Sequence, residues 1–458
     1  FMGFWLESFE PQIGDIFNHD IYETSKLDIS QALLDRGYFD QDNTIHEVRV
    51  TRAENSADIN LVWDSGIRYR FGDVRFEGNF FEPGLIEQLV GFEKGRYYSQ
   101  SQIFRLHESL SKLNYFSTIE IIPDLENKQG DQVPVLVNLT EGKQNSYNTS
   151  LRYGTQTGAG VEFGMERRWI NDKGHKLAFD VAWAQNEQSF LANYRIPAFA
   201  WLDGWYSFGI EARNEEYLST PSRYIEAFAN RSGEIRNWNL LGSINIRRER
   251  FDEFIPDSND AEPIDLYTTV LYPEFNAIWR STTDLSFIQD GNAWYYQGRF
   301  GYELEESQAW FVQGYVKNKR IMSITEKDRL LLRGELGALW TENSEYFPPS
   351  LRFYAGGEQS IRGYGYKEIG DYVDGLNYGG QYLVVGSFEY EHQVLPKWAI
   401  ASYVDFGDAF TNDFNINIGA GIGLRWRSPL GPVRFDLAYG FNGPNPGLAV
   451  YFNLGSDL

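Results

Sequence analysis

The last two thirds of the chain repeat with a period of two, and that restricts the segment to β-strands. In Asn415–Arg427, Ile416, Ile418, Ile422, Leu424 and Trp426 fall on one side, and Asn417, Gly419, Gly421, Gly423 and Arg425 fall on the other. Val433, Phe435, Leu437 and Tyr439 alternate with Arg434, Asp436 and Ala438, and Leu177, Phe179, Val181 and Trp183 alternate with Lys176, Ala178, Asp180 and Ala182. Successive side chains of a strand point to opposite faces, so each of these strands has one apolar face and one face that is charged or bare glycine. A soluble sandwich also alternates. Glycine and arginine on adjacent polar faces, with Trp and Tyr near strand ends, fit a barrel with a wet lumen and an interfacial girdle. Between Ser146 and Leu458 the pattern leaves room for about sixteen antiparallel strands, an even number as bacterial barrels have.

Composition agrees with a membrane barrel. Aromatic residues make up 16% of the 458 residues, and Tyr and Trp gather at membrane–water boundaries. Mean hydropathy is −0.44, and no run reaches the roughly 18 apolar residues a transmembrane helix needs. Alternating strands escape that test because their hydrophobicity averages out. The formal charge of −23 excludes nucleic acid as the main partner, which would require a basic stripe. Cysteine is absent, so neither disulfides nor thiolate metal sites are available. The five histidines (His19, His46, His107, His175, His392) are scattered, without H-E-x-x-H or G-x-S-x-G, so no enzyme, cofactor or metal is expected. Phe1-Met2-Gly3-Phe4-Trp5 has no basic n-region or cleavage site, which suggests a mature or truncated chain.

Turns set the direction of the barrel. Asn171–Gly174, Ser232–Gly233 and Ser428–Pro432 have turn composition and are expected at the periplasmic end. Phe251–Ile264 and Asn343–Gly380 are then the long outer loops; Ser281–Gly291 is longer than this scheme explains.

The first third reads as two small α+β domains, residues 1–70 and 71–143, in a twice-seen order β-α-α-β-β. Helical spacing runs from Leu27 to Leu34 and again through Ile103, Leu106, Leu110 and Leu113. A further helix is expected at Pro83–Val90, since Pro is tolerated near a helix start. Strands are expected at Ile45–Thr51, Ile59–Trp63, Asp73–Glu77, Thr118–Ile122 and Val133–Leu139.

The barrel, residues 144–458, carries one long loop, 343–380, with Gly356-Gly357-Glu358-Gln359-Ser360-Ile361-Arg362-Gly363-Tyr364-Gly365-Tyr366 at its centre. Loops this long are functional or disordered. A P-loop would need lysine where Tyr364 stands. Two readings stay open: an exposed loop with a solvated arginine, or a loop folded into the lumen. Period two puts Glu389 and Asp405 on the lumen face of neighbouring strands, where a guanidinium between them makes charge-assisted bonds of about 1.5–3 kcal/mol each. Arg362 is the candidate.

Phe71–Asn79 with Asn114-Tyr115-Phe116 resembles a POTRA domain, and Gly37-Tyr38-Phe39 does so more loosely. Ile361-Arg362-Gly363-Tyr364 and Val404-Asp405-Phe406-Gly407 resemble the loop and strand motifs of the BamA/TamA-type outer-membrane assembly superfamily. Within it, Ala355–Tyr364 and Leu454-Gly455-Ser456-Asp457-Leu458 are most similar to the TamA branch. The resemblance implies α+β POTRA domains in the periplasm before an all-β barrel in the bacterial outer membrane, and a loop latch (Ile361, Arg362, Gly363, Tyr364) held by Glu389 and Asp405. TamA-type chains have three POTRA units where about two fit here, which suggests truncation, and the terminal aromatic usual in such barrels is missing.

The function implied is an insertase for autotransporters and other β-barrel clients, working with outer-membrane lipids and a TamB-like periplasmic protein anchored in the inner membrane. Clients would enter at a lateral seam between the first strand (Tyr147, Thr149, Leu151, Tyr153) and the last (Leu448, Val450, Phe452, Leu454). A seam with unpaired backbone invites strand addition. A first strand that is simply short and tightly paired remains the alternative, as do a two-partner-type secretion pore and a lipid-transport conduit.

Overall fold

The computed structural model describes residues 9–154, 158–199, 203–215, 222–253, 264–282, 288–305, 308–343, 347–373, 375–428 and 431–454. Residues 1–8, 254–263, 283–287, 429–430 and 455–458, on which parts of several expectations fall, therefore lie outside the described residues. The chain divides into two compact units, Phe1–Gln144 with Asn171–Gly174, and Asn145–Ile170 with His175–Leu458.

The first unit contains α1 (His19–Leu34), β1 (Asp42–Thr51), β2 (Ser56–Asp64), β3 (Arg70–Glu77), α2 (Gln100–Lys112), β4 (Phe116–Pro123) and β5 (Gln132–Glu141). Helix α1 starts eight residues before the expected span, where the Asn18 side chain accepts the Asp20 amide at 2.9 Å, a normal N-cap. Its buried face is Tyr22, Ile29, Ala32 and Leu33 rather than one through Leu27, which is exposed. The cause is Tyr22, whose ring packs on Phe9 and Phe17 and turns that side inward. β1 and β2 form a hairpin. β3 lies parallel to β5, and β4 antiparallel to it. Helix α2 buries Ile103, Leu106 and Leu110, and β5 buries Val133, Val135 and Val137. The helix expected at Pro83–Val90 is a single 3-10 turn, Glu87–Leu89. Gly84, at φ +91°, keeps the start of the expected span out of helical geometry, and Val90, at φ −69° and ψ 101°, is extended and ends the turn.

The second unit is a 16-stranded sheet. In chain order its strands are β6 (Asn145–Gly154), β7 (Gly158–Arg167), β8 (Lys176–Ala184), β9 (Glu187–Ala198), β10 (Asp203–Glu215), β11 (Ser222–Ile235), β12 (Trp238–Glu253) and β13 (Ile264–Thr282). Then come β14 (Gly291–Glu303), β15 (Trp310–Ser323) and β16 (Asp328–Thr341). Inside the long loop a small ladder joins β17 (Tyr372–Val373) to β18 (Leu376–Asn377). The wall resumes with β19 (Tyr382–Leu395), β20 (Trp398–Phe410), β21 (Asn417–Ser428), β22 (Gly431–Gly440) and β23 (Leu448–Leu454). Each wall strand pairs antiparallel with the next, β16 pairing with β19 across the loop. The expectation of a sixteen-stranded antiparallel barrel after an α+β region is borne out.

Alternation explains the two surfaces. Ile422 and Phe452 are more than 60% exposed on the outside, whereas Asp405 is fully buried inside. Ser232 and Gly233 are not a turn. They pair with Leu241 and Leu240 within the β11–β12 ladder, which closes at Arg236–Asn237. Arg236, at φ +54°, supplies the left-handed residue that a two-residue hairpin needs.

The described part of the loop between β16 and β19 folds into the barrel's interior. Its Phe347, Leu351, Phe353, Ile361, Tyr364 and Ile369 form one buried cluster with Tyr272, Phe311, Leu339, Leu383 and Val385 of the wall. Burying large apolar side chains at about 1.5–3 kcal/mol each is ample to hold the loop inward.

Candidate functional site

The site begins with the glycine face of β21. A Cβ at Gly419 would collide with the Arg362 carbonyl, one at Gly421 with the Tyr403 ring, and one at Gly423 with Asp436 and Arg425. Bare backbone there creates a slot, and the tip of the loop occupies it. Gly363, at φ +100°, lies against the backbone of Tyr439 and Gly440 on β22, an approach and a conformation only glycine permits.

Arg362 is buried, as are Glu389 and Asp405. Its Nε donates to Asp405 Oδ2 at 2.7 Å and its Nη2 to Asp405 Oδ1 at 2.9 Å, a two-pronged pair. Nη1 donates to Glu389 Oε2 at 2.6 Å, and the Arg362 amide reaches Asp405 Oδ2 at 3.0 Å. Ser387 donates to Asp405 Oδ1 at 2.6 Å. The guanidinium carbon lies 3.4 Å from the centre of the Tyr403 ring, within cation–π range. The structure thus brings Arg362 to both lumen acids and not into open solvent.

The charge network extends beyond those three residues. Arg425 donates to Glu389 Oε1 at 2.6 Å and Glu391 Oε1 at 3.1 Å, and lies 2.8 Å from Asp436. Arg329 donates to the second oxygen of Glu391, and Arg434 adds positive charge near Glu389. Buried carboxylates are costly without such partners. Arg425, Asp436, Glu391 and Ser387 lie outside the expected site. The signal for Arg425 and Asp436 is Gly423, which faces both and leaves them room.

Two further residues fasten the loop. Tyr364 donates to the Ile418 carbonyl at 2.9 Å. Tyr451 on β23 donates to the Tyr364 carbonyl at 2.7 Å and accepts the Gly363 amide at 3.0 Å. Ile361 is buried in the cluster beneath.

At the other expected site, Tyr147, Leu151, Leu448, Val450 and Phe452 are exposed on the outer face. Residues 147–151 of β6 are exposed on both faces, unlike the inner faces of β19 to β21. Among the described residues no hydrogen-bonded ladder joins β6 to β23; the sheet order starts at one and ends at the other. The side chains of Tyr153 and Leu454 lie outside the described residues.

Comparison with known proteins gives the family. Residues 124–457 match the Omp85 superfamily domain, and residues 69–142 match the POTRA family, described as a surface antigen variable number repeat. The chain is similar to outer membrane protein assembly factor BamA of Nitratidesulfovibrio vulgaris, 25% identical over 452 residues, covering 93% of this chain and 55% of that protein. It thus spans little more than half the length of that relative. It is also similar to the sorting and assembly machinery component 50 homolog of Xenopus tropicalis, 21% identical, with 73% of each covered. BamA from Haemophilus ducreyi lacking POTRA domains 1–3 shares the fold at TM-score 0.75 and 17% identity, covering 97% of this chain and 94% of that one. CdiB from Acinetobacter baumannii does so at TM-score 0.54 and 14% identity, covering 98% and 85%. The two sequence relatives are named as assembly components rather than enzymes. A POTRA domain, a sixteen-stranded wall and a domain match over most of its length make this chain a member of the Omp85 superfamily, an outer-membrane β-barrel with its POTRA region in the periplasm.

Proposed function

We propose that this chain assists the assembly of outer-membrane β-barrel proteins, with client strands entering at the seam between β6 and β23. The observation that carries the reading is the sheet order, which starts at β6 and ends at β23 without a ladder between them among the described residues. An edge with unpaired N–H and C=O groups is a template for an incoming strand, and in a bilayer that demand is strong because no water satisfies those groups. The sequence relatives named as assembly factors point the same way. The latch of Arg362 with Glu389 and Asp405 holds the loop against the wall that leads to β23, the strand at this edge.

The narrower form of the proposal, from the likeness of Ala355–Tyr364 to the TamA branch, is autotransporter assembly with a TamB-like partner. It is tested by co-purification of such a partner and by following autotransporter and other clients separately.

The chain contains no cysteine, so an introduced pair is the only thiol pair present. One cysteine within residues 147–151 and one within 448–452 should cross-link under oxidant. Client assembly should stop when the pair is oxidised and resume on reduction. Unchanged client assembly with the seam fully cross-linked would remove the seam from the mechanism.

A further inference from the structure

A basic cavity lies in the lumen beside the folded-in loop. It holds about 350 Å³ and is bordered by β15 and β16 on one side and by Glu358 and Gln359 of the loop on another. Alternation aims three cations at it. On β15, Phe311, Gln313 and Ile321 are buried whereas Val312 is exposed. Lys317 and Lys319 share the buried parity and therefore face inward. Both line the cavity, as does Arg333 of β16. Lys319 and Arg333 are direct cross-strand partners, and Lys317 stands opposite Glu335. Lys319 is nearer to the end of β15 at Ser323 than to its start at Trp310, which puts this wall in the periplasmic half of the lumen.

The charges on that wall do not cancel. Glu335 is shared: Lys317 Nζ lies 3.1 Å and Arg333 Nε 3.5 Å from its Oε1, while Tyr315 donates to Oε2 at 2.7 Å. Among the described residues Lys319 makes neither an ion pair nor a hydrogen bond. The charges that act on it most are Arg434, Arg333 and Lys317, of its own sign, against Glu389. Glu389 is already held by Arg362 and Arg425, each at 2.6 Å. The other acids lining the cavity have their own partners: Asp436 lies 2.8 Å from Arg425, and Glu358 faces Asn453 and Arg434. Three cations sharing one acid leave two positive charges at the cavity wall. Like charges directly opposite on neighbouring strands are destabilising. The Arg333 Nε is also buried with no hydrogen-bond partner among the described residues.

We infer that this cavity binds a phosphate-type oxyanion, free or as a small monoester. Such a group carries a charge of about −1.5 to −2 at neutral pH, which matches the excess on the wall. Its several oxygens can take the Lys319 ammonium and the Arg333 fork together, and charge-assisted bonds to both relieve the repulsion between them. A single carboxylate brings half the charge and only two oxygens. The cavity is large enough for a small ligand, so a substituent such as glycerol fits beside the phosphate. A two-tailed phospholipid does not, because the strand wall separates the site from the bilayer.

The test is calorimetric titration of the whole chain in a non-ionic detergent, at fixed ionic strength, with inorganic phosphate, glycerol 3-phosphate or triglutamate. Both phosphate compounds should bind saturably, and triglutamate should not. If only one of the two binds, it identifies the source of the group. Lys319→Gln should weaken binding about tenfold, the usual loss with one charge-assisted bond, and Lys319→Arg should largely restore it. Arg320→Gln, next in the chain but exposed and on the lipid side, should change nothing. On the unmodified chain, phosphate should slow acetylation of Lys319 by acetic anhydride, read by peptide mapping, and leave exposed Lys397 unaffected. The inference is overturned if neither phosphate compound binds, if triglutamate binds and phosphate does not, or if phosphate binds without protecting Lys319. It is equally overturned if Lys319→Gln, shown to be folded by its heat-shifted gel mobility, binds as the unmodified chain does, or if Arg320→Gln weakens binding to the same degree.

Discussion

Tyr451, on the last strand, donates its hydroxyl proton to the carbonyl of Tyr364 across 2.7 Å, while the amide of Gly363 donates to the Tyr451 hydroxyl oxygen at 3.0 Å. One side chain thus ties β23 to the folded-in loop. Any event that lifts the loop acts directly on the strand that borders the seam.

Tyr451→Phe should therefore loosen the last strand without unfolding the wall. It leaves a buried amide and a buried carbonyl without their partner, at about 1–3 kcal/mol for each such group. Hydrogen exchange of the amides of 449–453 should accelerate, while that of β19 and β20 stays unchanged. Tyr403→Phe is the contrast. Among the described residues the Tyr403 hydroxyl has no hydrogen-bond partner, and its role is the ring beneath Arg362. That change should be neutral within about 0.5 kcal/mol, whereas Tyr403→Leu should destabilise the loop.

Arg362→Ala should destabilise the loop by about 3–5 kcal/mol, the usual result of stranding a buried charge. The stranded group is Asp405 rather than Glu389, because Arg425 still holds Glu389 at 2.6 Å. Adding Asp405→Asn should then recover part of the loss, and adding Glu389→Gln should not. Arg362→Lys should fail too, since an ammonium cannot fork to both Asp405 oxygens. Loop proteolysis and heat-shifted gel mobility, read alongside client assembly, separate loss of the latch from loss of the barrel.

Gly419→Ala puts a methyl group into the carbonyl of Arg362, and overpacking of this kind costs about 1–3 kcal/mol. The loop should rise, and a cysteine placed at Tyr366, already 39% exposed, should react faster with a thiol reagent. Gly334→Ala is the control: among the described residues no atom beyond its chain neighbours lies within 4 Å of its added carbon, so labelling should match that of the unmodified chain.

How far these relationships could be read from the chain depends on the range of the signal. Period two in β19 and β20 assigns Glu389 and Asp405 to the inner face, because a strand's geometry is local and regular. The same alternation puts Arg425 and Asp436 on inner faces, but nothing local says that Arg425 crosses to β19. That depends on Gly423 lending space, and on register across several strands. Turns were less legible. Ser232–Gly233 has turn composition, yet the β11–β12 ladder continues past it to Arg236–Asn237, since pairing outweighs local preference. In the first unit, the stretch before Leu27 is polar enough to hide the start of α1, and its buried face was set by the distant ring contacts of Tyr22.

The first unit has its own acid-sensitive joint. Tyr69 donates to Asp40 Oδ2 at 2.5 Å, and Lys128 donates to Asp40 Oδ1 at 3.0 Å. The tyrosine hydroxyl and then the lysine hold the Asp40 carboxyl below its usual range. A carboxylate whose pKa is depressed on folding stabilises the fold above its unfolded value, about 3.9, and that contribution fades as pH falls through the lower folded value. The joint links the segment after α1 to β3 and to the turn before β5, so its loss should separate the two halves of this unit first. Acid titration of the whole chain, followed by hydrogen exchange at residues 38–41 and 67–70, should show protection lost below about pH 4. Asp40→Asn should show reduced protection at neutral pH and little further change on acidification. Identical acid profiles for the two chains would place the sensitivity elsewhere.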